Sequence, residues 1–171
     1  MDAAPPVSVF RRRAEAWIAL AVVAADQAAK WVVLESLPLH GSVTVVPGLL
    51  SLTHVRNTGA AFGLLNAVDF PYKTAAIIAM ALCALVAIAA YGGRFASETW
   101  IGRVALALVL GGAVGNLIDR ARQGYVVDFV DVYWGGWHFW AFNVADAAIS
   151  VGAAALVLDM MGAGRRVSSA A

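Results

Sequence analysis

The sequence predicts an all-α membrane protein with a small β platform: a four-transmembrane-helix bundle that carries a β-rich cradle on its extracytoplasmic side. Three observations support this fold class. The 171 residues are 61% hydrophobic and 13% charged, whereas soluble domains average about 45–50% apolar and about 25% charged residues. Four stretches approach the roughly 20 apolar residues that a transmembrane helix needs. Segments of alternating polarity between these stretches are typical of strands.

The predicted helices belong to one domain that spans residues 1–171. Their approximate bounds are 14–34, 72–91, 100–118 and 143–161. The first helix follows the basic run Arg11-Arg12-Arg13, and such a run also precedes the apolar part of a secretory signal peptide. Because the apolar pattern continues to Leu34 and three further spans follow, we interpret this stretch as a retained helix with a basic cytoplasmic anchor.

Orientation follows from the basic residues in the short loops, since cytoplasmic loops carry more Lys and Arg. Seven basic residues lie on the side of the chain termini: Arg11, Arg12, Arg13, Arg94, Arg103, Arg165 and Arg166. Five lie on the other side: Lys30, Arg56, Lys73, Arg120 and Arg122. The bias places both termini in the cytoplasm and the two longer connections, about residues 35–71 and 119–142, outside.

Both external connections carry strand signals. In the first, residues 43–46 and 50–55 alternate in polarity around Pro47-Gly48, which predicts a hairpin. In the second, residues 126–133 are strand-like and belong to a segment rich in aromatic residues, which are common at the membrane–water boundary. We therefore expect a small β-rich platform that lies on the outer membrane face.

Composition and motif spacing exclude several function classes. The net charge of +1 provides no basic surplus for nucleic-acid binding. Cys83 is the single cysteine, and its apolar surroundings favour a small packing residue over a nucleophile. The histidines are scattered, and the chain has neither a His-Glu-x-x-His nor a Gly-x-Ser-x-Gly motif. We therefore expect neither a metal nor another cofactor.

The remaining polar residues matter because a charge inside a membrane costs at least about 2.5–3.5 kcal/mol at a helix centre. Asp26 and Lys30 are four residues apart and can pair on one face of the first helix. The sequence favours neither of two roles for this pair: it could support the helix structurally, or it could line a site. Asn57 and Gly59 follow a strand-like run, where small residues permit close approach to a ligand or simply form a turn.

The third helix carries a stripe of unusual residues on one face. Gly112, Asn116 and Arg120 recur every four residues. Small residues such as Gly112 permit close helix packing, but packing does not explain Asn116 and Arg120 on the same stripe. Asp119 points elsewhere and is interpreted as a structural pair or a helix-end group.

Two further acids flank the aromatic connection. Asp128 and Asp131 lie on opposite sides of the predicted strand, and periodicity alone does not choose between them. Asn143 is a good N-cap, which puts Asp146 at the third position of the fourth helix. Asp146 could therefore only cap the helix, but its entry into an apolar span favours function. Two close carboxylates share one proton, and such a pair can activate water for peptide hydrolysis.

Five segments carry a resemblance to a known family. In order, they are Asp26-x-x-x-Lys30, Asn57-Thr58-Gly59-Ala60-Ala61-Phe62, Gly115-Asn116-Leu117-Ile118-Asp119-Arg120, Val127-Asp128-Phe129 and Phe142-Asn143-Val144-Ala145-Asp146. They resemble the motif set of bacterial lipoprotein signal peptidase (signal peptidase II), a family of aspartyl intramembrane peptidases. The five motifs cover nearly the whole chain between its tails, and their shared order makes the resemblance specific.

The resemblance implies an endopeptidase that removes the signal peptide from diacylglyceryl-modified prolipoproteins and cleaves before the lipidated cysteine. Asp128 and Asp146 match the catalytic pair, which would activate water. The positions that match the substrate-binding set are Asp26, Lys30, Asn57, Gly112, Asn116, Arg120 and Asn143. The family also implies a bacterial inner-membrane location, contact with membrane lipid, an active site near the extracytoplasmic face and inhibition by globomycin-type cyclic peptides. We expect a monomer that binds no nucleic acid.

Two other classes could explain buried charges. A small transporter or proton-coupled channel also carries intramembrane Asp, Lys and Arg, but no repeat relates the two halves and no span is visibly broken. A non-catalytic assembly protein could pair its charges between helices, but it would not need two acids flanking one loop.

Overall fold

The computed structural model describes residues 9–59, 70–95 and 99–168, with side chains over 13–59, 70–86 and 99–162. In this part of the chain, the elements are α1 (Val9–Ser36), β1 (Ser42–Val46), β2 (Leu50–Asn57), α2 (Lys73–Phe95), α3 (Trp100–Gln123), β3 (Val126–Trp134), β4 (Trp137–His138) and α4 (Val144–Ser168). The four predicted helices and the three predicted strands are all present. Ala60, Ala61 and Phe62 of the second motif lie outside the described residues.

Helix α3 runs five residues beyond its predicted end at Ile118. The prediction ended where the charged residues begin, but Arg120 and Arg122 lie in the last turn, where basic side chains stabilise the carbonyl end of a helix. Gly124 then ends the helix in the left-handed conformation at φ 81° and donates its N–H to the Arg120 carbonyl.

The helices pack around α3, which contacts each of the other three. Glycines permit the close approaches. A Cβ on Gly111 would lie 2.7 Å from the Ala19 carbonyl oxygen of α1, and one on Gly112 would clash with the Ala145 carbonyl oxygen of α4. Small residues let helix backbones meet in this way in membrane proteins. For Gly112, the packing explanation is therefore supported directly.

Three of the helices are long and apolar enough to cross a membrane: Arg13–Ser36, Trp100–Gln123 and Val144–Gly162. In α2, the described apolar stretch is shorter and covers Lys73–Val86. Lengths near 20 residues match the hydrocarbon thickness of a bilayer. The chain is therefore a multi-pass membrane protein.

The strands form one antiparallel sheet in the order β1-β2-β3-β4. The predicted hairpin is confirmed, and Gly48 takes the positive φ of 77° that its turn requires. Val127 and Phe129 of β3 pack with Val33 near the end of α1, which anchors the sheet to the helices. This packing fixes β3, the strand that carries Asp128, at one end of the bundle.

Candidate active site

A cavity of about 750 Å³ opens where α2, α3 and α4 meet the sheet. Five of the predicted site residues line it: Asn57, Asn116, Arg120, Asp128 and Asp146. The other lining residues are mainly apolar and include Ile77, Met80 and Leu85 of α2, Leu117 of α3, Ile149 of α4, and Phe139, Trp140 and Phe142 of the aromatic connection. The site therefore combines a few polar groups with a large apolar wall.

Asp128 reaches this cavity from β3 with only 2% of its surface exposed. Asn57 donates to its Oδ2 atom at 3.0 Å, and Asn143 donates to its Oδ1 atom at 2.7 Å. Burial, followed by the negative charge of Asp146, raises the pKa of Asp128 to about 7. Asp131, the competing acid of the same strand, instead contacts the exposed His138 at 3.0 Å.

Asp146 reaches the cavity from the first turn of α4, where Asn143 and Asp146 cap the helix reciprocally. The Asn143 side-chain oxygen accepts the Asp146 N–H at 2.8 Å, and Asp146 Oδ2 accepts the Asn143 N–H at 3.3 Å. Asp146 Oδ1 accepts a bond from Asn116 at 2.7 Å. The residue is therefore both a helix cap and a cavity-lining acid, so the two interpretations of the sequence do not compete.

Two asparagines join the carboxylates into one chain of hydrogen bonds. Asn143 donates to Asp128 Oδ1 and, at 3.2 Å, to the side-chain oxygen of Asn116. Asn116 then donates to Asp146. Because both amides are buried or partly buried and bonded on both sides, the side chains have little freedom to reorient. The two acids are thus held in one connected arrangement.

Arg120 is fixed by backbone carbonyl groups and lies at the edge of the same cavity. Its Nη1 donates to the Asn116 carbonyl at 3.3 Å, and its Nη2 donates to the Gly59 carbonyl at 2.9 Å. Gly59 donates its N–H to the Asn57 side chain at 3.0 Å. The turn after β2 therefore joins the stripe on α3, although the two segments are far apart in sequence.

The other four predicted residues, Asp26, Lys30, Gly112 and Asn143, do not line the cavity. Asp26 and Lys30 form a buried pair at 2.8 Å on the far side of Asn116. Gly112 lies at the contact between α3 and α4, and Asn143 is fully buried between the two acids. These four residues therefore lie beside the cavity and not on its wall.

Sequence reasoning left Asp119 and Gln27 out of the site, and the structure gives both a place beside it. Asp119 bonds Lys30 at 2.9 Å and the Val127 N–H at 3.1 Å, while Gln27 donates to Asp119 at 2.8 Å. The signal that could have found Asp119 was its burial cost in an apolar helix. Among the described residues, no group of three or more His, Cys, Asp or Glu side chains could hold a metal ion.

The fold and the cavity define a class of protein: a multi-pass membrane protein in which a buried and a half-buried carboxylate line a largely apolar cavity. Comparisons with known proteins identify the family within that class. Residues 18–162 match the family described as signal peptidase (SPase) II. The chain belongs to this family and is therefore an aspartic-type peptidase.

Relatives of known name cover most of this chain. A lipoprotein signal peptidase of Geobacter metallireducens is 50% identical over 143 residues, which are 84% of this chain and 87% of the relative. One of Pseudomonas fluorescens is 44% identical over 157 residues, which are 90% and 91% of the two chains. A solved bacterial membrane enzyme, obtained by the in meso method, aligns with a TM-score of 0.78 at 31% identity and covers 87% of this chain and 88% of its own. These findings favour the peptidase over the transporter and assembly alternatives.

Proposed function

We propose that this chain removes the signal peptide from diacylglyceryl-modified prolipoproteins and cleaves before the lipidated cysteine with an Asp128/Asp146 dyad. The observation that carries the proposal is that both carboxylates line one cavity and are joined through Asn143 and Asn116. Membership of the signal peptidase II family supplies the substrate class.

In the proposed mechanism, the two acids share one proton. In this scheme Asp128 holds it, because burial and the negative charge of Asp146 raise the pKa of this carboxyl to about 7. Asp146 acts as the base, and the N-terminal end of α4 favours negative charge at its position. Asp146 takes a proton from water, the hydroxyl adds to the scissile carbonyl, and Asp128 donates to the carbonyl oxygen. Asp146 then gives its proton to the leaving amine while Asp128 takes a proton back from a hydroxyl of the tetrahedral intermediate. The C–N bond breaks, and both acids return to their starting states.

Substrate binding divides between a polar and an apolar part of the cavity. Asn57 and Arg120 border the acids and can hold the peptide backbone or the polar head of the lipid through hydrogen bonds. The apolar wall of α2, with Ile77 and Met80, fits the diacylglyceryl chains. A globomycin-type cyclic peptide would occupy the same cavity and block cleavage. No metal or other cofactor takes part in this scheme.

We propose that α2 also crosses the membrane, which gives four transmembrane helices in a bacterial inner membrane. Both termini then lie in the cytoplasm. The acids lie at the end of the bundle that carries the sheet, so this orientation puts the site near the extracytoplasmic face. Exposed tryptophans in and beside β3 and β4 suit a membrane–water boundary: Trp134, Trp137 and Trp140. The sheet would then serve as a cradle over the site of a single-domain monomer.

The test replaces each acid separately, as Asp128→Asn and Asp146→Asn, in the full chain in detergent. Each change removes a proton-transfer group, so turnover of a diacylglyceryl-modified prolipoprotein peptide should fall by about 10²–10⁴-fold. Asp131→Asn is the matched control on the same strand and should keep wild-type turnover, because Asp131 contacts His138 outside the cavity. Near-normal turnover in either dyad variant would disprove the mechanism, and loss of wild-type activity in EDTA would contradict its metal-free form.

A further inference from the structure

A single lysine sits at the centre of a buried polar group behind the cavity. The Lys30 ammonium contacts Asp26 at 2.8 Å, Asp119 at 2.9 Å and the Asn116 side-chain oxygen at 3.0 Å. An ammonium has three N–H donors and no acceptor, so these three partners satisfy it completely. All three charged residues are buried, and none of them lines the cavity.

Each of the two carboxylates also holds one backbone N–H group. Asp119 Oδ2 accepts the Val127 N–H at 3.1 Å, and Asp26 Oδ1 accepts the Ala145 N–H at 2.9 Å. Val127 immediately precedes Asp128, and Ala145 immediately precedes Asp146. The same lysine therefore connects, through two matched contacts, to the backbone beside each of the two cavity acids.

We propose that Asp26, Lys30 and Asp119 form a positioning unit that sets the separation and direction of the Asp128 and Asp146 side chains. The inference rests on the proposed function, because it assumes that these two acids do the chemistry. In this scheme, α1 provides the reference. Asp26 holds the start of α4, and Asp119 holds the start of β3. Lys30 locks the two carboxylates together.

The third contact of Lys30 extends the unit to the Asn116 side chain. Since an ammonium only donates, the atom that Asn116 turns toward Lys30 must be its oxygen. The Asn116 nitrogen then points toward Asp146, where it donates at 2.7 Å. Lys30 thereby fixes the orientation of the Asn116 amide beside Asp146 without contacting the substrate.

Energetic considerations also favour a role in positioning the two acids over a role only in helix packing. The attraction within a buried ion pair often fails to offset the free energy of desolvating its two charges, and well-packed apolar residues often stabilise a core equally well. What apolar residues cannot do is accept the N–H groups of Val127 and Ala145 in a fixed direction. Geometry near the reacting atoms is worth a great deal, since a misplacement of about 1 Å can cost about 10²-fold in rate.

The experiment compares Asp119→Asn with Asp119→Leu, and Asp26→Asn with Asp26→Leu, in the full chain in detergent. Asn keeps an oxygen that can accept the backbone N–H, whereas Leu has a similar volume and no acceptor. We expect kcat for a lipidated prolipoprotein peptide to fall in the order wild type, Asn, Leu, with a loss of about 10–100-fold for Leu. KM should stay within about twofold, because the cavity wall is unchanged.

Asp159→Leu is the matched structural control. Asp159 accepts the Thr99 hydroxyl at 2.8 Å and so also joins α4 to α3, but it lies 13 residues along α4 from Asp146, or about 20 Å at the helical rise. This variant should lose thermal stability while kcat stays near that of the wild type. A comparable kcat loss in Asp159→Leu would show that any lost contact between helices lowers kcat, and the proposed positioning role would then be refuted.

Other outcomes separate this inference from the function on which it rests. If Asp128→Asn and Asp146→Asn are inactive but the Asp119 and Asp26 variants keep wild-type kcat, the positioning unit is refuted and the dyad stands. If the dyad variants are active, the proposed function fails first. Should the Leu variants not fold, the Asn variants decide alone: wild-type kcat, or a loss confined to KM, overturns the proposal.

Discussion

The two ends of the helical bundle carry polar contacts of different kinds. At the sheet end, the side chains of Lys30 and its two aspartates are 5% exposed or less, and the carboxylates also hold backbone N–H groups. At the opposite end, Arg103 and Glu15 pair at 2.9 Å, but their side chains are 19% and 30% exposed. The contacts at the opposite end join helices, whereas the contacts at the sheet end also fix the backbone beside two acids.

This difference in exposure predicts how much stability each contact contributes. A partly exposed ion pair can lose its partner and be solvated by water, so it contributes about 0–1 kcal/mol. A buried charge that loses its partner has no such substitute, and breaking a buried pair costs about 3–5 kcal/mol. We therefore expect substitutions of similar size to have unequal effects at the two ends of the bundle.

The largest effect should come from Gly115→Ala. A Cβ there would lie 2.8 Å from Asp26 Oδ2, an atom that is already fixed by Lys30. Overpacking of this kind costs about 1–3 kcal/mol, and it should lower both the thermal unfolding midpoint in detergent and the turnover. Gly162→Ala is the control, because nothing lies within 4 Å of its Cβ position. There the higher helix propensity of Ala should be neutral or stabilising. Equal destabilisation by the two changes would contradict the comparison.

The second effect concerns pH and the raised pKa of Asp128. A dyad that needs one proton should lose activity as pH rises above about 7, approaching a tenfold fall in kcat/KM per unit. The full profile should be bell-shaped, because both acids are ionised at high pH and neither is at low pH. A rate that keeps rising through alkaline pH would point to a different base.

The same pKa has a consequence for stability. Because the folded state holds the Asp128 proton more tightly than an unfolded carboxyl with a pKa near 3.9, this stabilisation is complete below about pH 4 and is lost as pH rises through about 7. Asp128→Asn removes the titration. Between pH 4 and 7, the unfolding midpoint of this variant should therefore rise relative to that of the wild type. A difference between the two midpoints that does not change with pH would argue against the raised pKa of Asp128.

The smallest effect should come from Glu15→Gln at the opposite end. This change removes a partly exposed ion pair with Arg103, so stability should fall by no more than about 1 kcal/mol. Turnover should be unchanged, since Glu15 lies neither in the cavity nor beside the acids. Thermal unfolding and peptide cleavage measured on one preparation are sufficient, and a marked loss of turnover would show that the two ends are coupled.

Much of the fold followed from local pattern. Apolar length predicted the helices, and the alternation around Pro47-Gly48 predicted the hairpin. Helix α3, however, continues five residues beyond the predicted end at Ile118, although charged residues begin there. The charges of Asp119 and Arg120 instead find partners inside the protein. Hydropathy counts a charged residue in the same way whether it faces lipid, water or an ion pair.

The site divides in the same way. By itself, the sequence determined the candidate acids, the cap formed by Asn143 and the stripe on α3, because these follow from helix spacing, capping chemistry and the ordered motifs. The motifs indicated Asp128 over Asp131 by resemblance alone. The physical reason came from the tertiary structure, in which Asp128 lines the cavity and Asp131 contacts His138. Only the tertiary structure decided that Asp26 and Lys30 lie behind the cavity and not on its wall. These choices depend on contacts between segments up to 119 residues apart, and no local pattern encodes such distances.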